Sequence, residues 1–525
     1  MKLPKPAGCS FSSGGGNVKE RTMIVEEQGI GFWTGVRFPS GPLKKKCNAI
    51  ALRFFFVSHK RKTYKLRHKM SSVQKNDKID IFENKPILQA LAIMAIPTII
   101  SQLITLIYNI ADLWFIGQTD NPYMVAATAL VATIFLMATA VANVFGVGGG
   151  NLVVRLIGSG QPDEAKKVAS WSLLIAGVSA ICFAFLCFIF MNPLLYLLGA
   201  SENTIGYAKQ YMFFVVVLGA LPTVLSNVMS AMLRNVGYSK EAAFGLGLGG
   251  VLNVILDPLF MFVIMPNGYE VAGAALATLL SNIIAMTYYI CTYRKVQSTT
   301  ILELPKCLER ILPESRKSIF SVGLPAASSL VLFDVCNMII NMLSSSHGDL
   351  ELAAMGIVLK VERLPLNVGI GICLGMTPLV AYNYAAKNKE RMMKFFKSAR
   401  TAGLLFALFC VVLYRIGAPF VIKLFISDAG TVRLGTGFLQ ARCFATPFMF
   451  LSFHMVHFMQ AIGEGKISFY LPVIRQLCLN IPLLLLLNAI LGMNGIIWTQ
   501  LSADIINVII SYIIYVKVMK RIDVY

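Results

Sequence analysis

The stretch from Ile87 to Gly117, ILQALAIMAIPTIISQLITLIYNIADLWFIG, is apolar almost throughout and longer than the roughly 20 residues a helix needs to cross a bilayer. Runs of this kind recur, separated by short polar loops, at about 87–117, 124–148, 167–191, 206–228, 242–265, 271–293, 317–343, 352–379, 400–425, 435–460, 468–491 and 494–517. Lipid offers no hydrogen-bond partner to a peptide group, so a chain that crosses it repeatedly in such runs must close its backbone within helices. The expected fold is an all-α integral membrane protein of twelve transmembrane helices. Composition agrees, with 56% hydrophobic and 14% charged residues and a mean hydropathy of +0.68.

The net charge of +21 taken alone suggests a nucleic-acid partner, but its placement does not. Residues 1–69 carry 15 Lys/Arg against 3 Asp/Glu, and the remaining excess lies mostly in alternate loops. Arg155, Lys166 and Lys167 follow the second run, Arg234 and Lys240 the fourth, Arg294 to Lys317 the sixth, and Lys387 to Arg400 the eighth. The intervening loops QTDNPY, GASENT, MPNGYE, SSSHGDLE and LGMN hold no Lys or Arg. By the positive-inside rule this predicts a multi-pass protein of the cell membrane with both termini cytoplasmic, and no nucleic-acid partner. The expected partners are membrane lipid and small molecules, and the expected state is a monomer.

Residues 1–69 form a basic extension unlike the rest, expected to be disordered or to precede the native start. MSSVQKNDKIDIFENKPI, from Met70, is an ordinary polar lead-in to a first helix and favours the second reading. The eleven cysteines are scattered singly, several within apolar runs, and read as packing residues rather than a disulfide framework.

An internal repeat with an offset of about 228 residues aligns Pro97 with Pro325, Asn109 with Asn337, and Ala220 and Pro222 with Ala445 and Pro447. Six runs per repeat bring both halves into the membrane in the same sense. The chain is therefore expected to form two parallel six-helix lobes, 86–293 and 317–518, joined by a cytoplasmic linker at 294–316, a layout suited to alternating access.

Carboxylates inside such helices are costly and mark functional sites by default. Asp112 is the one ionisable residue of the first run, and Asp257 stands in LGGVLNVILDPLFMF of the fifth. Asn253 is one turn before Asp257 and shares its face, while Pro258 should kink the helix there. Thr278 and Asn282 are at helical spacing in the sixth run, among the small residues Gly273, Ala274, Ala275 and Ala277, which permit close helix approach. Two carboxylates with Asn and Thr oxygens suit a proton or a Na⁺ ion.

IPTIISQLITLIYNIADLWFIGQ, GLGGVLNVILDPLFMF and VAGAALATLLSN, within a duplicated six-helix layout, resemble the multidrug and toxin extrusion (MATE) family of secondary antiporters, in its DinF-like and bacterial multidrug exporter branch. The resemblance runs from about Pro86 to Val518. It implies that Asp112, Asn253, Asp257 and Thr278 form a cation-coupling network, and that H⁺ or Na⁺ is exchanged for organic, cationic or amphipathic compounds. It implies no cofactor and no enzymatic activity.

The second half departs from this pattern, because Ile340 and about Leu484 stand where the acids Asp112 and Asp257 would recur. It has instead Asp334, and Lys360, Glu362 and Arg363 in LKVERLPLNVG. Either Lys360 and Arg363 neutralise Glu362, or Asp334 and Glu362 face a substrate cavity with Asn109 and Asn282. His454 and His457 lack a third ligand nearby and read as packing, so no metal site is expected. Arg442 and Arg475 are expected to pair with backbone or acids, and Gly146, Gly148, Gly149 and Gly150 to let the second helix bend. The 24 Met and 34 Phe include residues able to line an adaptable cavity.

Two rivals remain. A lipid-linked saccharide flippase of the same superfamily would need a cationic cavity for diphosphate, and a membrane-embedded transferase would need a His/Asp or metal constellation at a membrane face.

Overall fold

The computed structural model describes residues 78–523, apart from 267, 306 and 307, and among these no strand occurs. The basic extension at 1–69 lies outside the described residues. A short helical segment at 78–83 leads into α1 (Ile87–Gly117), α2 (Pro122–Gly158) and α3 (Pro162–Ile189), and the short helix Met191–Leu197 follows. Next come α4 (Glu202–Leu218) and α5 (Ala220–Asn235), bent by 45° at Gly219, then α6 (Ser239–Ile264) and α7 (Glu270–Val296). The second half repeats the order: α8 (Pro313–Ser345), α9 (Asp349–Ala385), α10 (Lys389–Lys423), α11 (Ala429–Arg442), α12 (Thr446–Ile462), α13 (Gly465–Leu491) and α14 (Met493–Ile522).

Helix starts follow the local sequence. Pro122, Pro162 and Pro313 occupy first-turn positions, where the missing N–H has no helical partner anyway. The side chains of Asn121 and Asp428 accept from the backbone N–H of Tyr123 (3.0 Å) and Thr431 (2.7 Å).

Against the twelve spans expected, ten helices among the described residues are long and apolar enough to cross a membrane, and the bent α4/α5 pair taken as one span makes an eleventh. The expected span 435–460 is divided at 443–445 into helices of 14 and 17 residues and does not meet that test. Pro222 and Pro447 explain both interruptions, since each follows a break and withholds the N–H that would join it to the preceding turn. Arg433, Arg442, His454 and His457 further dilute the apolar character of α11 and α12.

The halves approach most tightly where α2 crosses α8 and α1 crosses α9. A Cβ on Gly148 would lie 2.2 Å from the Ile319 carbonyl oxygen, and one on Gly323 would lie 2.1 Å from that of Val144. Likewise a Cβ on Gly375 would lie 2.5 Å from the Ala95 Cα. The glycines of α2, expected to permit bending, serve close approach to neighbouring elements. All these crossings lie toward the end of the bundle rich in Lys and Arg. Hydrogen bonds join the halves there too, from Arg155 Nη2 to Ser318 Oγ (2.9 Å) and from Ser315 Oγ to Glu164 Oε1 (3.2 Å). Arg391 donates to the carbonyls of Phe82 (2.7 Å) and Lys85 (2.6 Å), and Asn383 donates to Phe82 (3.1 Å), clasping the segment before α1 onto the second half.

Candidate functional site

Asn253 and Asp257 are one turn apart on α6, and Asn253 Nδ2 donates to Asp257 Oδ1 at 3.0 Å and to Thr278 Oγ1 of α7 at 3.1 Å. Asp257 is wholly buried. Gly273 makes this packing possible, because a Cβ there would lie 2.8 Å from the Phe260 carbonyl oxygen. Directly after Pro258 the backbone widens to π-helical geometry over Phe260–Ile264, so the helix is irregular beside its carboxylate, as the proline predicts.

Asp112 reaches the cluster from α1. A Cβ on Gly250 would lie 2.9 Å from Ile104 Cγ2 and 3.1 Å from Tyr108 Cδ1, so this glycine lets α1 lie close along α6. The two helices run in the same direction, and one turn beyond Tyr108 Asp112 is within electrostatic reach of Asp257. Tyr108 and Tyr211 of α4 are within reach of both carboxylates, and the Tyr211 hydroxyl is placed to donate to Asp112. Asp112 Oδ1, Asn253 Oδ1 and Asp257 Oδ2 are shut off from solvent and accept no hydrogen bond within the protein. Three acceptor oxygens thus remain free, and among the described residues no Lys or Arg forms an ion pair with either carboxylate.

This duplicated helical scaffold corresponds to a known family model, MatE, which matches residues 97–259 and again 325–486. The chain belongs to the MatE family. Its two matched segments begin at Pro97 and Pro325, the same pair the internal repeat aligns. MATE proteins are membrane transporters rather than enzymes. The chain is similar to the multidrug export protein MepA of Staphylococcus saprophyticus, 28% identical over 86% of this chain and 98% of that protein. MepA of Staphylococcus aureus is 27% identical, with the same coverage. Among solved structures, a multidrug resistance MATE family transporter in an outward-facing conformation superposes with a TM-score of 0.79 at 23% identity, over 85% of this chain and 98% of that one.

Within this MATE fold the other residues singled out from sequence are placed differently. Asn109 is exposed and Asn282 half-buried, and neither has a side-chain hydrogen bond with the Asn253 cluster. Asp334 pairs with Arg363 (2.9 Å), both partly exposed, and Arg363 leans on the Phe333 ring. Of the two alternatives for Glu362, neutralisation by Lys360 and Arg363 is not the arrangement found. Arg442 of α11 neutralises it in a two-pronged contact of 2.9 and 3.0 Å. Adjacent helical residues point about 100° apart, so Arg363 has no path to Glu362. Arg475 and Asp504 form a second buried pair at 2.6 Å, to which Gln500 donates at 2.7 Å.

His454 is fully buried between the Phe396 and Phe450 rings and shares a hydrogen bond with the Phe396 carbonyl (3.2 Å). His457 bonds the Phe453 carbonyl (2.9 Å). Among the described residues no group of three His, Cys, Asp or Glu is disposed to hold a metal. Sequence reasoning missed both tyrosines. Tyr108 was findable, one turn before Asp112 on the same face, whereas Tyr211 joins only through the packing of α4.

Proposed function

We propose that this protein is a proton- or sodium-coupled antiporter that exports organic, cationic or amphipathic compounds. The observation that carries the reading is the set of three unsatisfied acceptor oxygens on Asp112, Asn253 and Asp257, with no basic residue among those described forming an ion pair with either carboxylate. A buried carboxylate pair is expensive when fully ionised and becomes less so on taking up a proton or a small cation. Such a site exchanges charge with whatever cation the membrane gradient supplies.

In this reading the Lys/Arg-rich end is cytoplasmic, so both termini face the cytoplasm, and the halves are held together at that end while the opposite end admits the coupling ion. Cation binding at Asp112 and Asp257 shifts α1 about Pro97 and lowers affinity for a cationic substrate, so ion and substrate compete for one charged site. The transporting unit is a single chain, since both halves of the pathway belong to it. The MepA relatives, multidrug export proteins by name, support organic compounds as the cargo class.

A flippase for diphosphate-linked lipids is disfavoured by the same arrangement. Arg363, Arg442 and Arg475 are each engaged by an acid and so do not form a free cationic lining.

The test is transport in liposomes under a pH gradient alone and then a Na⁺ gradient alone. One gradient should drive substrate movement in the parent. An Asp112→Asn, Asp257→Asn variant, present in the membrane at parental level, should not respond to it. Parental transport by that variant would end the reading.

A further inference from the structure

On the outer face of the second half, away from the acid cluster, α10 and α14 stand apart over α12 and leave a groove of about 680 Å³. That size falls within the roughly 300–1,000 Å³ range of ligand sites. Its lining is graded along the helix axes. α10 starts and α14 finishes at the Lys/Arg-rich end, so Arg400, Thr401, Tyr512 and Ile513 stand nearest that end. Leu404, Leu408 and Ile509 continue one or two turns deeper. The groove therefore carries a cation, Arg400, at its mouth and is apolar along its length.

Arg400 differs from Arg363, Arg442 and Arg475, each of which meets an acid. Among the described residues it has no acidic partner, and its guanidinium lies 5.9 Å from the centre of the Phe396 ring. Lys397, exposed and one turn earlier on the same helix, adds positive charge beside it. A cation held at the depth where a spanning helix meets the headgroup layer, above an apolar trough, matches an anionic headgroup carrying acyl chains.

We propose that this groove binds one bilayer phospholipid with an anionic headgroup, its phosphate at Arg400 and its acyl chain along Leu404 and Leu408. The inference stands apart from the coupling-site reading, since it uses no residue of that site.

Native mass spectrometry of the full chain, purified with phosphatidylglycerol and with phosphatidylcholine of the same acyl chains, tests it. The parent should retain one phosphatidylglycerol under conditions that strip phosphatidylcholine. Arg400→Gln should weaken retention about tenfold or more, the scale of losing a charge-assisted contact. Arg400→Lys should keep most of it. Leu408→Trp, which fills the trough and leaves the charge in place, should lose it as well. Thermal melting of the unmutated protein gives a second readout that needs no variant. Phosphatidylglycerol should raise the midpoint saturably, and glycerol phosphate, which has the headgroup chemistry without chains, should not.

Equal retention of both lipids by the parent, retention by Arg400→Gln and Leu408→Trp at the parental level, or stabilisation by glycerol phosphate alone would each overturn the proposal.

Discussion

The two halves share one architecture and treat buried charge in opposite ways. In the first, Asp112 and Asp257 lie near each other with Asn253, Thr278 and two tyrosines, and form no ion pair with a Lys or Arg among the described residues. In the second, Glu362 and Asp504 each meet an arginine in close two-pronged contact. A neutralised pair has little reason to bind a further cation, whereas an unpaired carboxylate cluster does. The difference teaches that the repeat supplies a frame, and that the partner given to each acid decides whether its charge is neutralised or left open to a cation.

That contrast can be broken by substitution, beginning with thermal stability. Arg475→Ala leaves Asp504 buried and unpaired, and should cost about 3–5 kcal/mol, seen as a large drop in melting midpoint and folded yield. The double variant Arg475→Met, Asp504→Leu should recover most of the loss. If it melts as low as the single variant, the pair is not acting as a charge pair.

Gly250→Leu should cost about 1–3 kcal/mol through overpacking against Ile104 and Tyr108. It should also reduce efflux, because α1 is pushed away from α6. Undiminished efflux would mean that the α1–α6 spacing is not what positions Asp112.

Arg363→Gln removes a partly exposed ion pair and should change stability by less than about 1 kcal/mol. A larger change, read by the same melting curve, would place that pair with the buried ones.

Asp257→Asn should change stability least, or raise it slightly, because it removes an unpaired buried charge and leaves a side chain of the same shape. Dye efflux should nonetheless be lost. A variant that is strongly destabilised, or that still exports, would erase the distinction between the halves.

Much of this was legible beforehand. Asn253 and Asp257 share a face because four residues make about one helical turn, and Pro258 marks the irregular backbone beside them. These are local rules that hold wherever the helix is placed. Span counting was less secure around 435–460, because a proline break and scattered polar residues divide that stretch into two helices too short to qualify singly. The ion pairs of the second half were legible only as a list of candidates. Arg442 and Glu362 are 80 residues apart, and nothing in either helix names the other.

Composition and periodicity by themselves determined that this chain is a helical membrane protein built from a duplicated unit, because lipid tolerates few other backbone arrangements. They also picked out Asp112 and Asp257, since charge within an apolar run is conspicuous in one dimension. Only the tertiary structure decided which charges are answered. Pairing depends on which faces of distant helices meet. Here those meetings are set by small local shapes, such as Gly250 under Tyr108 and Gly148 against Ile319, whose consequences appear only when the helices pack.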